Sequence, residues 1–161
     1  MLESNFPAFD LLEGDENVFD GFGKFLENTQ SANEYLEEVY NQAISRIEDI
    51  YEMTSHCELD IIDILEKIIE EMWNEGWNPR NGDINLFTRD FGCILAKEIK
   101  KRLNGIFVFR SNKDLSNLSL WWKEKKIEIF PFHKVFKRLS KREGESISYF
   151  YSSLKKILNA G

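Results

Sequence analysis

The hydrophobic period of this chain changes at Asn104-Gly105. Before this point, apolar residues recur in steps of three and four, which is the spacing of amphipathic helices. After it, short runs rich in Ile, Phe and Trp alternate with polar residues, as in half-buried strands. An Asn-Gly pair commonly ends a helix. The order of these two patterns predicts an α+β fold.

Three helices are predicted before the change of period. The first begins near Ser31, and the second runs from about Leu59 to Asn74. A short connection makes these two an N-terminal helical hairpin, acidic in composition, over residues 31–75. A third helix follows over residues 84–103. The apolar stripe of the first helix consists of Leu36, Tyr40, Ala43, Ile47 and Ile50.

A small antiparallel β-sheet and a C-terminal helix are predicted after Gly105. The strands correspond to IFVFR, LSLWW and KIEIF, and the polar turn KEKK joins the last two into a hairpin. Pro131 ends the third strand, and a short helical turn is expected over residues 135–139. The last helix starts after Ser146. Residues 83–161 thus form a helix-sheet-helix unit, and residues 31–161 form a single α+β domain.

Residues 1–30 have a different composition from the rest of the chain. They are acidic and contain several phenylalanines, but no helical or strand period persists through the Gly and Pro breaks. We expect an arm that is mobile or loosely docked. Its residues Phe19, Phe22 and Phe25 are candidate apolar anchors for a partner.

The charge of the chain is divided between its two halves. Residues 1–82 carry 20 acids and four bases, whereas residues 83–161 carry 17 bases and eight acids. One interpretation is that the halves pack together and neutralise each other. The other is that each half presents its own charged surface to a different partner.

The stretch from Leu118 to Arg142 is both basic and aromatic, so it raises the alternative of nucleic-acid binding. Trp121 and Trp122 are adjacent in a predicted strand, and therefore we expect at most one of them on a given surface. The turn lysines fit a solvated hairpin. We interpret the stretch mainly as architecture. Its helically spaced bases are Lys134, Lys137, Arg138, Lys141 and Arg142, which the acidic half is able to cover.

Catalytic and metal-binding patterns are poorly represented. His56, Cys57, Glu58 and Asp60 occur close together, but a zinc site needs a second ligand pair at suitable spacing. A loop between helices is the preferred interpretation. Cys93 is typical of a small buried hydrophobe. We therefore expect neither an enzyme nor a metal or other cofactor.

The compartment is predicted from the cysteine content and the N-terminal composition. Two cysteines and an acidic start without a secretory pattern favour a reduced, cytoplasmic location. No apolar run approaches the roughly 20 residues of a membrane span, and no membrane partner is expected.

A glycine near the middle of the third predicted helix and a Phe-Pro-Phe element followed by a Val-x-Lys-Arg turn form a pattern in the second half of the chain. Its positions are Gly92, Phe130, Pro131, Phe132, Val135, Lys137 and Arg138. This half resembles a broad group of small, mostly uncharacterised bacterial α+β domains, in which such a helix leads to a short sheet and a strand ends in a Pro-Phe or Phe-Pro element before the turn. The resemblance covers about half of the chain and implies a structural pattern. Some members look like immunity proteins, which neutralise toxins of their own cell or its kin.

Two hypotheses of function follow. The first is a cytosolic inhibitor that binds a protein partner, such as a cationic toxin, through an acidic surface; a bacterial immunity protein is its specific form. The second is a nucleic-acid-binding regulator that uses the basic half. Acidic surfaces attract cationic proteins and accelerate their association. Besides the three phenylalanines of the arm, the predicted partner-binding residues are Glu34, Glu37, Glu38, Glu48, Asp49 and Asp63.

Overall fold

Five helices and a three-stranded antiparallel sheet make up the described part of the chain, as the predicted α+β class requires. The structure is a computed structural model and describes residues 29–51, 60–79, 83–108, 118–144 and 146–159. The helices are α1 (Thr29–Tyr51), α2 (Ile61–Asn74), α3 (Ile84–Leu103), α4 (Pro131–Ser140) and α5 (Ile147–Asn159). The strands are β1 (Ile106–Val108), β2 (Ser119–Trp122) and β3 (Ile127–Ile129).

The first helix starts two residues earlier than the sequence predicts. Its buried residues recur in steps of three and four and form the predicted kind of stripe. Apart from Thr29 and Gln30, which belong to α1, the predicted arm lies outside the described residues. The buried residues of α1 are Leu36, Val39, Ala43 and Ile47.

Helix α3 lies at the centre of the fold. It packs mainly against α4 and α1, while α2 packs mainly against α5. Its residues Cys93, Ile94, Leu95, Ala96 and Ile99 are completely buried. Because α1 and α2 have different principal partners, they make few contacts with each other. This arrangement leaves a groove between them with α3 as its floor.

A glycine allows α4 to lie close to α3. A Cβ atom at Gly92 would stand 2.2 Å from Cδ1 of Phe132, far below a normal van der Waals contact. Phe132 is fully buried at this point. Helix α4 is thus the element that approaches α3 at Gly92.

The end of α3 is at the predicted position, but its two terminal residues have different roles from those expected. Asn104, with φ of 61°, adopts the left-handed conformation that ends the helix. Gly105 instead leaves room for Trp122, whose Cζ2 atom would lie 2.7 Å from a Cβ at this position. The indole Nε1 of Trp122 donates to the carbonyl of Leu103 at 2.7 Å and fixes the sheet against the helix.

The sheet has the strand order β1-β2-β3, and both pairs are antiparallel. Residues 123–126 form the predicted turn of the β2–β3 hairpin. Pro131 is the first residue of α4, where its missing N–H and fixed φ suit a helix start. The predicted short turn is therefore a helix of 10 residues.

Candidate functional site

Five of the predicted partner-binding acids lie on one exposed face of α1. At 3.6 residues per turn, their positions project opposite to the buried stripe of the helix. All five are exposed. We call this surface the α1 acidic face; it consists of Glu34, Glu37, Glu38, Glu48 and Asp49.

The contacts of this face differ along the helix. Glu37 forms an ion pair with Lys97 of α3. Gln42 donates to Glu38 at 3.5 Å, the outer limit of a hydrogen bond. Glu48 and Asp49 lie near the C-terminal end of α1, whose last turn contains no basic residue. Acids at that end are unfavourable because the carbonyl groups there carry partial negative charge.

The other predicted binding residues are not part of this face. Asp63 lies on α2 and accepts a hydrogen bond of 2.6 Å from the hydroxyl of Ser148 on α5. It therefore belongs to the α2–α5 boundary. Phe19, Phe22 and Phe25 lie outside the described residues.

A groove between α1 and α2, which we call the α1–α2 groove, was not predicted from the sequence. Its volume is about 380 Å³, within the size range of ligand pockets. Six apolar residues and four charged ones line it among the described part of the chain. They are Ala43, Arg46 and Ile47 of α1, Ile68, Glu71 and Met72 of α2, the α2 C-cap Glu75, and Phe87, Asp90 and Phe91 of α3.

The charges that line the groove have a negative sum. Arg46 is bound to Asp90 through Nη2 at 2.5 Å and Nε at 3.0 Å. Asp90 is largely buried and also accepts from Arg89 at 3.2 Å. Among the described residues, Arg46 is the one base that lines the groove, and it is held by an acid of the floor. Glu71 of α2 and Glu75, which caps the C-terminal end of α2 one turn later, are the acids of the opposite wall.

Two bases of the stretch from Leu118 to Arg142 are buried in the interior of the protein. Arg138 donates from Nη2 to Oε2 of Glu66 at 2.7 Å, and the residues are 7% and 6% exposed. Glu66 also accepts from the backbone N–H of Ile147 at 2.7 Å, so one carboxylate joins α2, α4 and α5. Lys134 is 5% exposed, and its ammonium lies 5.4 Å from the ring centroid of Phe150. These two bases are therefore not surface residues.

Both adjacent tryptophans of β2 line a second cavity of about 480 Å³. The prediction that Trp121 and Trp122 belong to different surfaces is therefore wrong for this cavity. It lies at the turn end of the β2–β3 hairpin, where Lys123 and Lys125 of the turn also line it. At this end both faces of the strand border the same space. Arg102 contributes another base, but its guanidinium is bound to Asp60 and Glu98.

Ion pairs join the two oppositely charged halves of the chain. Besides the buried pair of Arg138 and Glu66, Arg102 binds Asp60 through two hydrogen bonds of 2.7 and 2.8 Å. The hydrogen bond from Arg102 lowers the pKa of Asp60 below its ordinary value. Lys97 and Glu37 form another ion pair between a base of the second half and an acid of the first. The interpretation that the halves pack together and neutralise each other is therefore confirmed at these positions.

The described residues contain no cluster of three or more His, Cys, Asp or Glu side chains able to hold a metal ion. His56, Cys57 and Glu58 lie outside that part of the chain. Burial raises the pKa of the Cys93 thiol, which is completely enclosed in the core and therefore unsuited to act as a nucleophile. Within the same ranges, none of the helices has the length and apolar character that crossing a membrane requires.

Comparison of the chain with protein-family models, with curated proteins and with solved structures gave no match. The candidate site is therefore defined by its geometry alone. It consists of the α1 acidic face and the neighbouring α1–α2 groove.

Proposed function

We propose that this protein is a cytoplasmic inhibitor that binds a cationic protein partner through the α1 acidic face. Its most specific form is a bacterial immunity protein that neutralises a toxin of the same cell or its kin. The role is stoichiometric binding, so the protein is not an enzyme and needs no cofactor. The free, buried thiol of Cys93 is compatible with a reducing compartment.

The observation that carries this proposal is the uniform sign of the α1 acidic face. Helix α1 contains five acids and a single base, Arg46. The acids all lie on the outer face, whereas Arg46 is directed to Asp90 of α3. A surface of one sign raises the encounter rate with an oppositely charged protein and excludes partners of like charge.

The resemblance to immunity-protein-like domains supplies the class of partner. Several matching positions, among them Gly92, Pro131, Phe132 and Arg138, have packing roles in the structure. The shared pattern thus describes the scaffold. Recognition of a particular toxin is left to the acidic half, which lies outside the resemblance.

The nucleic-acid alternative has less support. Of its five helically spaced bases, Lys134 and Arg138 are buried, and Arg142 donates to the carbonyl of Trp73 at 3.3 Å. Binding to phosphates requires several exposed bases on one face. Few exposed bases remain on this face, and the whole chain has a net charge of −7. Both features weaken the attraction of a polyanion.

Growth rescue tests the proposal. The chain is co-expressed with the product of the gene adjacent to its own, and we expect that product to be toxic, cationic and neutralised by the wild-type chain. The double variant Glu48→Lys, Asp49→Lys should lower the association rate roughly tenfold at low salt. Both changes place bases at the C-terminal end of α1, where they favour the helix.

The matched control is Glu70→Lys, Glu143→Lys. It changes the net charge by the same amount at exposed positions on α2 and after α4. We expect a smaller loss of association rate for the control. Equal rates for the two double variants, or a neighbouring product that neither binds the chain nor impairs growth, would overturn the proposal.

A further inference from the structure

We propose that the cavity beside Trp121 and Trp122 receives phenylalanines of the chain's own N-terminal segment, residues 1–28. We call this cavity the hairpin cavity, because it lies at the turn end of the β2–β3 hairpin. The docking does not depend on the proposed function, since it uses neither the α1 acidic face nor the α1–α2 groove. It places the acidic segment against the basic end of the molecule.

The apolar lining of the hairpin cavity is accessible from outside. Ile106 of β1 is 57% exposed and lies opposite Trp121 in the register of the sheet. Trp121, Trp122, Leu103 and Leu158 also line the cavity, and each is partly exposed. One such side chain is ordinary on a surface, but a group of them around a cavity of about 480 Å³ forms an apolar binding patch.

One wall of the cavity is a fixed aromatic ring. The indole Nε1 of Trp122 donates to the carbonyl of Leu103 at 2.7 Å, and the ring lies over Gly105. Aromatic rings attract each other in offset or edge-to-face arrangements beyond the effect of the area that they bury. A wall that is already held in place binds a second ring without rearrangement. The cavity is therefore suited to phenylalanine.

Exposed lysines lie around the hairpin cavity. The last residues of α3 and of α5 both line it, so these two helices end at the same side of the molecule. Lys101 of α3, Lys155 and Lys156 of α5, and Lys123 of the hairpin turn are exposed there. Among the described residues that line the cavity, Glu124 is the only exposed acid. The surroundings therefore favour an acidic occupant.

The N-terminal segment has both of the properties that the cavity selects. Residues 1–28 contain seven acids and one base, a net charge of −6. They also contain five phenylalanines, at positions 6, 9, 19, 22 and 25. Acids are able to meet the lysines at the rim while the aromatic side chains enter the cavity.

The topology brings this segment to the correct end of the molecule. Glu37 pairs with Lys97, whereas Arg46, further along α1, pairs with Asp90, which comes earlier on α3. The two helices are therefore antiparallel. At 1.5 Å per residue, Thr29 lies roughly 12 Å before Glu37, and the end of α3 lies roughly 9 Å after Lys97. Residues 1–28 thus join α1 near the level at which α3 ends.

The tether makes weak contacts sufficient. A segment joined to its binding site through a short connection has an effective concentration in the millimolar range. Phe25 and Phe19 lie four and ten residues before Thr29, distances that an extended chain spans in about 13 and 35 Å. Phe19, Phe22 and Phe25 are therefore the phenylalanines nearest to the cavity along the chain.

Two other occupants are less suited to the hairpin cavity. The same segment of a second copy has a matching charge, but it lacks the advantage of the tether. A nucleic acid would meet the lysines and tryptophans, but the net charge of −7 repels it from the chain as a whole.

Cleavage of the full chain by chymotrypsin tests the docking, because the protease reaches a phenylalanine only while the segment is released. Mass spectrometry measures the rate of cleavage at Phe19, Phe22 and Phe25. The double variant Lys123→Glu, Lys155→Glu should raise this rate roughly tenfold at low salt. Added salt should raise the rate for the wild type, since it screens the same attraction.

The matched control is Lys67→Glu, Lys141→Glu. It changes the net charge by the same amount at exposed positions on α2 and after α4. We expect a much smaller change in cleavage rate for this control. Melting temperatures of the variants verify that the fold is retained.

A second pair of variants tests the apolar contact. Ile106→Ser removes an exposed side chain from the cavity and should raise the cleavage rate roughly threefold. Leu86→Ser is the control, because Leu86 is 38% exposed in the first turn of α3, at the opposite end of that helix. It should leave the rate unchanged.

Three results would overturn the docking. The first is an equal cleavage rate in the wild type, the double variant at the cavity and Ile106→Ser. The second is protection that appears only as the protein concentration rises, which would assign the cavity to the segment of a second copy. The third is tight binding of an oligonucleotide by the wild-type chain at low salt, which would show that the cavity is open to a polyanion.

Discussion

Helices α1 and α4 carry charges of opposite sign and place them in opposite environments. The five acids of α1 are exposed, whereas Lys134 and Arg138 of α4 are buried against α5 and α2. Helix α1 packs against the rest of the protein on one side, so it keeps a broad solvated face. Helix α4 is enclosed by α2, α3 and α5 and has little solvated face, so its cations need partners in the interior. The exposed acids of α1 are in contact with solvent, while the buried cations are part of the architecture.

The largest loss of stability is expected when the buried ion pair of Arg138 and Glu66 is broken. Arg138→Ala leaves the carboxylate of Glu66 in the core without its guanidinium partner. We expect a loss of about 3–5 kcal/mol in the free energy of unfolding, measured by urea denaturation. Glu48→Ala on the exposed face is the control and should change stability by no more than about 0.5 kcal/mol. Comparable losses would contradict the division between the two helices.

The sequence predicts whether a residue is exposed or buried when the contacts that determine this are local. It does not predict this when the partner is distant along the chain. The acids of α1 are placed correctly because a local 3.6-residue period fixes which face is outside. The burial of Arg138 is different, since its partner Glu66 is 72 residues away in sequence. Basic residues near a helix end ordinarily indicate a solvated surface, and only the tertiary packing of α2 against α4 supplies the exception.

The groove illustrates the same limit. Its walls consist of residues that the sequence identifies as apolar stripes, among them Ala43, Ile68 and Met72. An antiparallel hairpin in isolation would pack these stripes together. In the structure, α3 contacts α1 and α5 contacts α2, so the stripes are partly separated. The competition between partners for one apolar face is a tertiary effect and has no local signature.

A smaller loss is expected when α4 is pushed away from α3. Gly92→Ala adds a methyl group that would stand 2.2 Å from Phe132, and relief requires movement of a buried ring. The expected loss is about 1–3 kcal/mol by denaturation. Gly144→Ala is the matched control, because a Cβ there has no heavy atom within 4 Å. Equal stability of the two variants would show that α4 does not depend on this close approach.

The ion pair of Arg102 and Asp60 is more exposed than that of Arg138 and Glu66. It predicts a still smaller effect on stability, and this effect depends on pH. Arg102 lowers the pKa of Asp60 in the folded state, so the associated stability is fully present above the ordinary value of 3.8. It is lost as the pH falls through the lowered folded-state pKa. The variant Asp60→Asn should therefore lose less stability than the wild type as the pH falls through this range. The difference in the free energy of unfolding should be less than about 1 kcal/mol, because the pair is partly solvated.

Asn is also a good N-cap, so this change keeps the hydrogen bond to the N–H of Ile62. Asp83→Asn at the N-cap of α3 is the corresponding control for the chemical change alone. Urea denaturation at a series of pH values measures both variants. An unaltered pH dependence for Asp60→Asn would show that its link to Arg102 adds nothing to stability.

The smallest effect is expected at the turn of the β2–β3 hairpin, where Lys123 and Lys126 are exposed like the acids of α1 but have the opposite sign. Changing Lys123, Lys125 and Lys126 to Gln should alter stability by no more than about 0.5 kcal/mol at each position. Ile129→Ala in the adjoining strand, where the side chain is completely buried, should cost about 2–5 kcal/mol. Titration of the wild-type chain with single- and double-stranded oligonucleotides at low salt should detect no tight binding, because the net charge of −7 repels a polyanion. Tight binding that the triple Gln variant weakens with its fold intact would make this turn, together with the cavity beside Trp121, the functional surface in place of the α1 acidic face.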